Sequence, residues 1–209
     1  MDFFVYAEDG LTLWALTNDL SQILKQLDDR SNTSDCQIFY RPSFGRSGGP
    51  NSPEFGEFDF IILSRDSIYL GESKWEESSE LSHRTIALEP RQALRHCVLR
   101  EYIQNYMANP IVDWPTFLYS MEEIFRSKGI QKMAAKPNKS ITTKNLESFL
   151  GIVRSHFRGV PKITDILLFI HRKGRHDLLE RVEPKSFEKV YVEFSEETDF
   201  GRFTNLPQP

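Results

Sequence analysis

Residues 56–63, Gly56-Glu57-Phe58-Asp59-Phe60-Ile61-Ile62-Leu63, and 71–75, Gly71-Glu72-Ser73-Lys74-Trp75, decide how this chain is read. Between them, Ser64-Arg65-Asp66-Ser67 is turn-forming, so the apolar runs 58–63 and 68–75 predict a hairpin. Both runs are largely apolar on both faces, as strands at the centre of a covered sheet are. Asp59, Glu72 and Lys74 interrupt them. Burying a charge there is costly unless it is paired or bound to a metal.

Side chains alternate between the faces of a strand. With the turn centred between Arg65 and Asp66, residue 63 faces 68, Asp59 faces Glu72, and Glu57 faces Lys74. Facing residues have Cβ atoms about 5 Å apart. Two carboxylates that close repel, and one is driven to protonate. A bound divalent cation removes that penalty. Hard oxygen ligands suit Mg²⁺ or Mn²⁺ rather than zinc. Lys74 is suited to hold or activate a water, or to stabilise charge developing on a phosphate. The competing reading is a salt-bridge cluster in which Glu57 and Asp59 neutralise Lys74.

Working outward, Leu13, Leu16, Leu20, Ile23, Leu24 and Leu27 recur at helical spacing and predict a helix over 11–27. A short strand follows at 36–40. Pro and Gly then impose a long loop over 41–53, where Arg41 and Arg46 are candidates for phosphate contact. Pro90 suits a first helical position, predicting a helix to about 107. Residues 115–157 read as mainly helical, around a basic loop at 128–144 with five lysines. Strands are predicted at 163–170 and 189–194, and a loose tail at 206–209. After the first of these strands, Arg172, Lys173 and Arg175 form a basic turn suited to phosphate. The order of elements predicts one mixed α/β domain over 1–209, with a helical insertion at about 113–158.

Composition narrows the class. The chain has 209 residues, 39% hydrophobic, with sixteen Phe, enough for a substantial core without covalent staples. The formal net charge of −4 argues against a general nucleic-acid coat protein, but not against an enzyme with a local basic patch. Cys36 and Cys97 form no CxxC pair, which predicts buried, reduced thiols. Met1-Asp2-Phe3-Phe4 carries no leader pattern and no run approaches membrane-spanning length, so a cytoplasmic protein is expected. There is no P-loop, no Rossmann glycine pattern and no GxSxG elbow.

Asp59 followed by Glu72-Ser73-Lys74 resembles the signature of the PD-(D/E)xK nuclease superfamily: an acid at the start of one strand, then acid-x-Lys on the next. Phe58 stands where the motif often has proline. The resemblance covers 57–75 by motif, and the rest of the chain agrees in its order of elements. It implies a restriction-endonuclease-like core, a central mixed β-sheet flanked by helices. It implies that Asp59 and Glu72, with the Ser73 backbone carbonyl, bind Mg²⁺ or Mn²⁺, and that Lys74 orients or deprotonates a water for attack on phosphorus. Glu57 is an accessory candidate. Some members place a Gln early in the following helix, here Gln92, with Tyr four residues on, where this sequence has His96. Members often supply a further acid from the first helix, for which Asp19 and Glu8 are the candidates. The expected function is metal-dependent phosphodiester hydrolysis, with DNA as substrate and a second copy of the chain as a candidate partner. The alternatives are a non-cleaving nucleic-acid-binding module and a protein-interaction domain.

Overall fold

The computed structural model describes residues 3–44, 56–109, 113–130, 141–174, 178–194, 199–200 and 203–206. Arg46 and Arg175 lie outside the described residues. The elements in order are β1 (Phe3–Tyr6), α1 (Ala7–Asn18), α2 (Leu20–Gln26), β2 (Gln37–Tyr40), β3 (Phe60–Leu63), β4 (Ser67–Trp75), β5 (Leu81–Ser82) and β6 (Thr85–Ala87). Then come α3 (Pro90–Ala108), α4 (Trp114–Ser127), α5 (Ile141–His156), β7 (Lys162–Arg172), β8 (Arg181–Glu183), β9 (Glu188–Phe194), β10 (Asp199–Phe200) and β11 (Phe203–Leu206).

The central sheet has the order β2-β3-β4-β7-β9. β2, β3 and β4 form an antiparallel meander, while β4–β7 and β7–β9 are parallel. A parallel neighbour needs a crossover, and β5, β6 and α3 to α5 supply the one from β4 to β7. The described architecture is therefore α/β with a mixed central sheet flanked by helices. β3, β4 and β7 are buried along nearly their whole lengths, as their continuous apolar runs require.

Two cores cover the two faces. On one face, Ile61, Leu63, Ile68 and Leu70 pack against α3, α4 and α5 through Val98, Tyr102, Phe117, Met121, Phe149 and Val153. The helices predicted at 113–158 therefore share the core of the main body. On the other face, Phe60, Ile62, Tyr69, Ile166 and Leu168 meet Leu11, Ala15 and Leu16 of α1 and Ile23 and Leu24 of α2. Gly71 is fixed by this packing. A Cβ there would stand 2.1 Å from the Phe60 ring, which lies across it from the paired position.

Several expectations need correction. The first helix starts at Ala7 rather than 11 and breaks at Asp19. Leu13, read as part of its apolar stripe, is 39% exposed. Cys97 is exposed and Cys36 only half-buried, so neither is a core thiol. Of the tail expected to be loose at 206–209, Leu206 ends β11 and pairs with Phe3, and residues 207–209 lie outside the described residues. Among the described residues, no helix is long and apolar enough to cross a membrane.

Candidate active site

The β3–β4 register is the one derived from the turn: Leu63 faces Ile68 and Phe60 faces Gly71. Pairing stops there, because β3 begins at Phe60 while β4 runs on to Trp75. β7 covers the other edge of β4 as far as Trp75. The overhanging residues of β4 thus leave N–H groups on the β3 side that still need acceptors. Asp59 and Glu8 provide them. Asp59 Oδ2 accepts from Ser73 N at 2.7 Å, and Glu8 Oε2 accepts from Trp75 N at 3.2 Å.

This arrangement corrects the predicted position of Glu57. It does not face Lys74. It bridges to Ser43, and its Oε1 accepts from Arg41 Nε at 2.5 Å. Lys74 instead sits 3.6 Å from Glu8 Oε1 and 3.3 Å from Glu80 Oε1, with its side chain 9% exposed. Burial works against the ammonium, but Glu8, Glu80 and Asp59 outweigh it and hold the Lys74 pKa above the ordinary lysine value. Lys74 is therefore a charged donor.

Glu72 is completely enclosed and receives three donors, all from the first turns of α3. Gln92 Nε2 donates to Oε2 at 2.8 Å, and Arg95 Nη2 donates to Oε1 at 2.7 Å. His96 Nε2 lies 2.9 Å from the same Oε1. Gln92 is itself oriented by a capping box, its Oε1 accepting from Glu89 N at 2.9 Å. Burial alone would raise the Glu72 carboxyl, but His96 and Arg95 more than reverse this and hold it below the usual carboxylate value. Asp59 has no such donors. Burial first, and then the charge of Glu72, push its carboxyl up to about 7, despite the Ser73 N–H and Lys74.

A divalent cation fits this donor set. Asp59 is a carboxyl that its surroundings leave short of positive charge, and Glu80 Oε2 is buried without a hydrogen-bond partner. A carboxylate has about four acceptor positions, so Glu72, with three filled, keeps one on Oε2. Among the described residues no group of three His, Cys, Asp or Glu side chains is arranged to hold a metal ion. Mg²⁺ does not require one, because it commonly takes only one or two carboxylates and keeps several waters.

Of the accessory acids, Glu8 joins the site and Asp19 does not. Asp19 stands at the α1–α2 break, about 16 Å along the helix from Glu8 at ~1.5 Å per residue. Arg41 pairs with Asp9 and Glu57, and Arg172 with Glu76 and Glu77, at the end of the sheet where β4 and β7 terminate. Lys173 is exposed in the turn beyond β7. Sequence reasoning missed three participants: Glu80, Asp165 and Arg100. Asp165 carried a signal, being a lone carboxylate in the apolar run of β7. Compared with known proteins, the chain matches no family model, no curated protein and no solved structure.

Proposed function

We propose that this protein is a divalent-metal-dependent nuclease on a restriction-endonuclease-like core of the PD-(D/E)xK type, acting on DNA. The observation that carries the reading is the convergence of Asp59, Glu72 and Lys74, with Glu8, at the end of the sheet where β4 outruns β3. The topology supports it: an antiparallel meander continued by a parallel strand, with α1 and α3 on opposite faces. In open α/β sheets, ligands bind beyond the carboxyl ends of the parallel strands, which is where these side chains lie.

In this reading Asp59 and Glu72, with the Ser73 carbonyl, would hold Mg²⁺ or Mn²⁺, which when bound supplies positive charge for the scissile phosphate and acidifies a water. Lys74, being an ammonium, acts as a donor and not as a base. It orients the attacking water and stabilises charge growing on the phosphoryl oxygens. Glu8 and Glu80 both pair with the ammonium and hold it in place. His96 and Arg95 keep the Glu72 carboxylate ionised, and Gln92 donates to its other oxygen.

One observation favours a second reading. Three protein donors already bind the Glu72 oxygens, as in a purely structural ion network, which suits a non-cleaving binding module on the same fold. Cleavage of linear, circular and single-stranded DNA, assayed with Mg²⁺ or Mn²⁺ and with chelator, separates the two. The nuclease reading expects metal-dependent cuts that vanish in Asp59→Asn. DNA binding with no cuts under any metal condition supports the second reading instead.

A further inference from the structure

Beyond the residues that meet Asp59 and Lys74, α3 and β7 share a buried chain of charged side chains. His96 has no exposed surface, yet both its ring nitrogens are engaged. Nε2 is 2.9 Å from Glu72 Oε1, and Nδ1 is 3.0 Å from Asp165 Oδ1. Asp165 Oδ2 in turn accepts from Arg100 Nη2, one helical turn further along α3. A second Arg100 nitrogen, Nη1, donates to the Ile163 carbonyl at 3.3 Å, so the far end of the chain is tied to the β7 backbone.

The His96 ring is also held by packing. Phe58 and Phe187 lie against it with centroids at 4.9 and 4.8 Å and interplanar angles of 46° and 52°. Its rotation is blocked, and with it the direction in which Nε2 meets Glu72. A pair that only neutralised Glu72 would need one cation, and Arg95 already provides it. His96 adds direction. With Arg95 it occupies Oε1, and the remaining acceptor position of Glu72 is confined to Oε2, beside Gln92.

We propose that His96, held by Asp165 and Arg100, is a positioning residue that fixes which oxygen of Glu72 is offered to a divalent cation. The inference rests on the reading of Asp59 and Glu72 as cation ligands. Side chains that orient a ligand in this way typically contribute 10–100-fold in metal affinity or activity.

The test titrates Mn²⁺ by calorimetry into the full-length protein and into Asp165→Asn and Arg100→Met. Melting in chelator and steady-state DNA cleavage are measured on the same preparations. Asp165→Asn keeps an acceptor for His96 but removes the charge that anchors it. The expected result is a Mn²⁺ affinity weakened roughly 10–100-fold, with kcat reduced and KM for DNA unchanged. Arg100→Met should shift both in the same direction by less. Arg100 is partly exposed at the outer end of the chain, so this variant carries the test if Asp165→Asn does not fold. A purely structural role would lower the melting temperature and leave the Mn²⁺ affinity within twofold of wild type, which overturns the proposal alone. Wild-type protein that binds no Mn²⁺ and cuts no DNA overturns it together with the nuclease reading.

Discussion

Asp59→Asn should make the metal-free protein more stable at pH 8 while removing its cleavage activity. The folded structure pushes the Asp59 carboxyl from 3.8 to about 7, chiefly by burial and then by the charge of Glu72. Below pH 3.8 the group is protonated whether the chain is folded or not, and it contributes nothing. Between pH 3.8 and about 7 the unfolded chain releases the proton and the folded one keeps it, so stability falls as pH rises. Above about 7 the full penalty is present. Three units at ~1.4 kcal/mol each give ~4 kcal/mol, and screening at a side chain that is not fully enclosed lowers this to about 2–4 kcal/mol. Asn keeps an oxygen for the Ser73 N–H, so the hydrogen bond survives while the charge does not. For a chain of this size the gain corresponds to roughly 5–15 °C in melting temperature. The assay is thermal unfolding in chelator at pH 4.5, 6 and 8, wild type against variant. The gap should be widest at pH 8 and close towards pH 4.5. A variant no more stable than wild type at pH 8, or a gap independent of pH, refutes the reasoning.

Other perturbations test other parts of the structure. Lys74→Met leaves Glu8 and Glu80 without their shared cation, so a loss of about 3–5 kcal/mol is expected together with loss of cleavage. Cleavage must be read well below the variant's melting temperature, and wild-type cutting there would remove Lys74 from the mechanism. Gly71→Ala drives a methyl into the Phe60 ring and should cost about 1–3 kcal/mol by denaturant unfolding, with Phe60→Leu restoring part of the loss. DNA affinity should fall steeply between low and physiological salt if Lys173 and the neighbouring basic segments contact phosphates. A flat salt response would count against those contacts.

The parts of the fold visible in the sequence were those with a strong period or a tight turn. The 64–67 turn set the register of β3 and β4, because in a hairpin the turn type and loop length fix which residues face each other. Pro90 marked the start of α3, and the two helices before β7 had clear apolar stripes. The small sheet β5-β6-β8 was not legible. Its strands are two or three residues long, and β6 finds its parallel partner β8 almost a hundred residues away. The pairing of β1 with β11 joins opposite ends of the chain and leaves no local mark. Likewise, nothing near His96 announced Asp165. Only the cost of burying a lone carboxylate in β7 pointed to it, which is the same argument that singled out Glu72.

The position of the acids follows from a mismatch in strand length that the sequence patterns concealed. The apolar run reads as a strand from Phe58, yet the chain leaves the ladder at Phe60. The Asp59 carbonyl accepts from Arg41 N, and Glu57 is drawn to Ser43 and Arg41. β4 loses its neighbour at that point, and its N–H groups at Ser73 and Trp75 donate to the nearest carboxylates instead. One comes from Asp59, the residue just before β3 begins. The other comes from Glu8, which is in reach because α1 starts at Ala7, a full turn before its apolar periodicity does. The backbone thus holds both acids beside the Lys74 ammonium whatever occupies the space between them. In the same register, a β3 longer by four residues would set Phe58 against Ser73 and Gly56 against Trp75. The N–H groups would be satisfied by main-chain carbonyls, and neither Asp59 nor Glu8 would have a reason to turn inward.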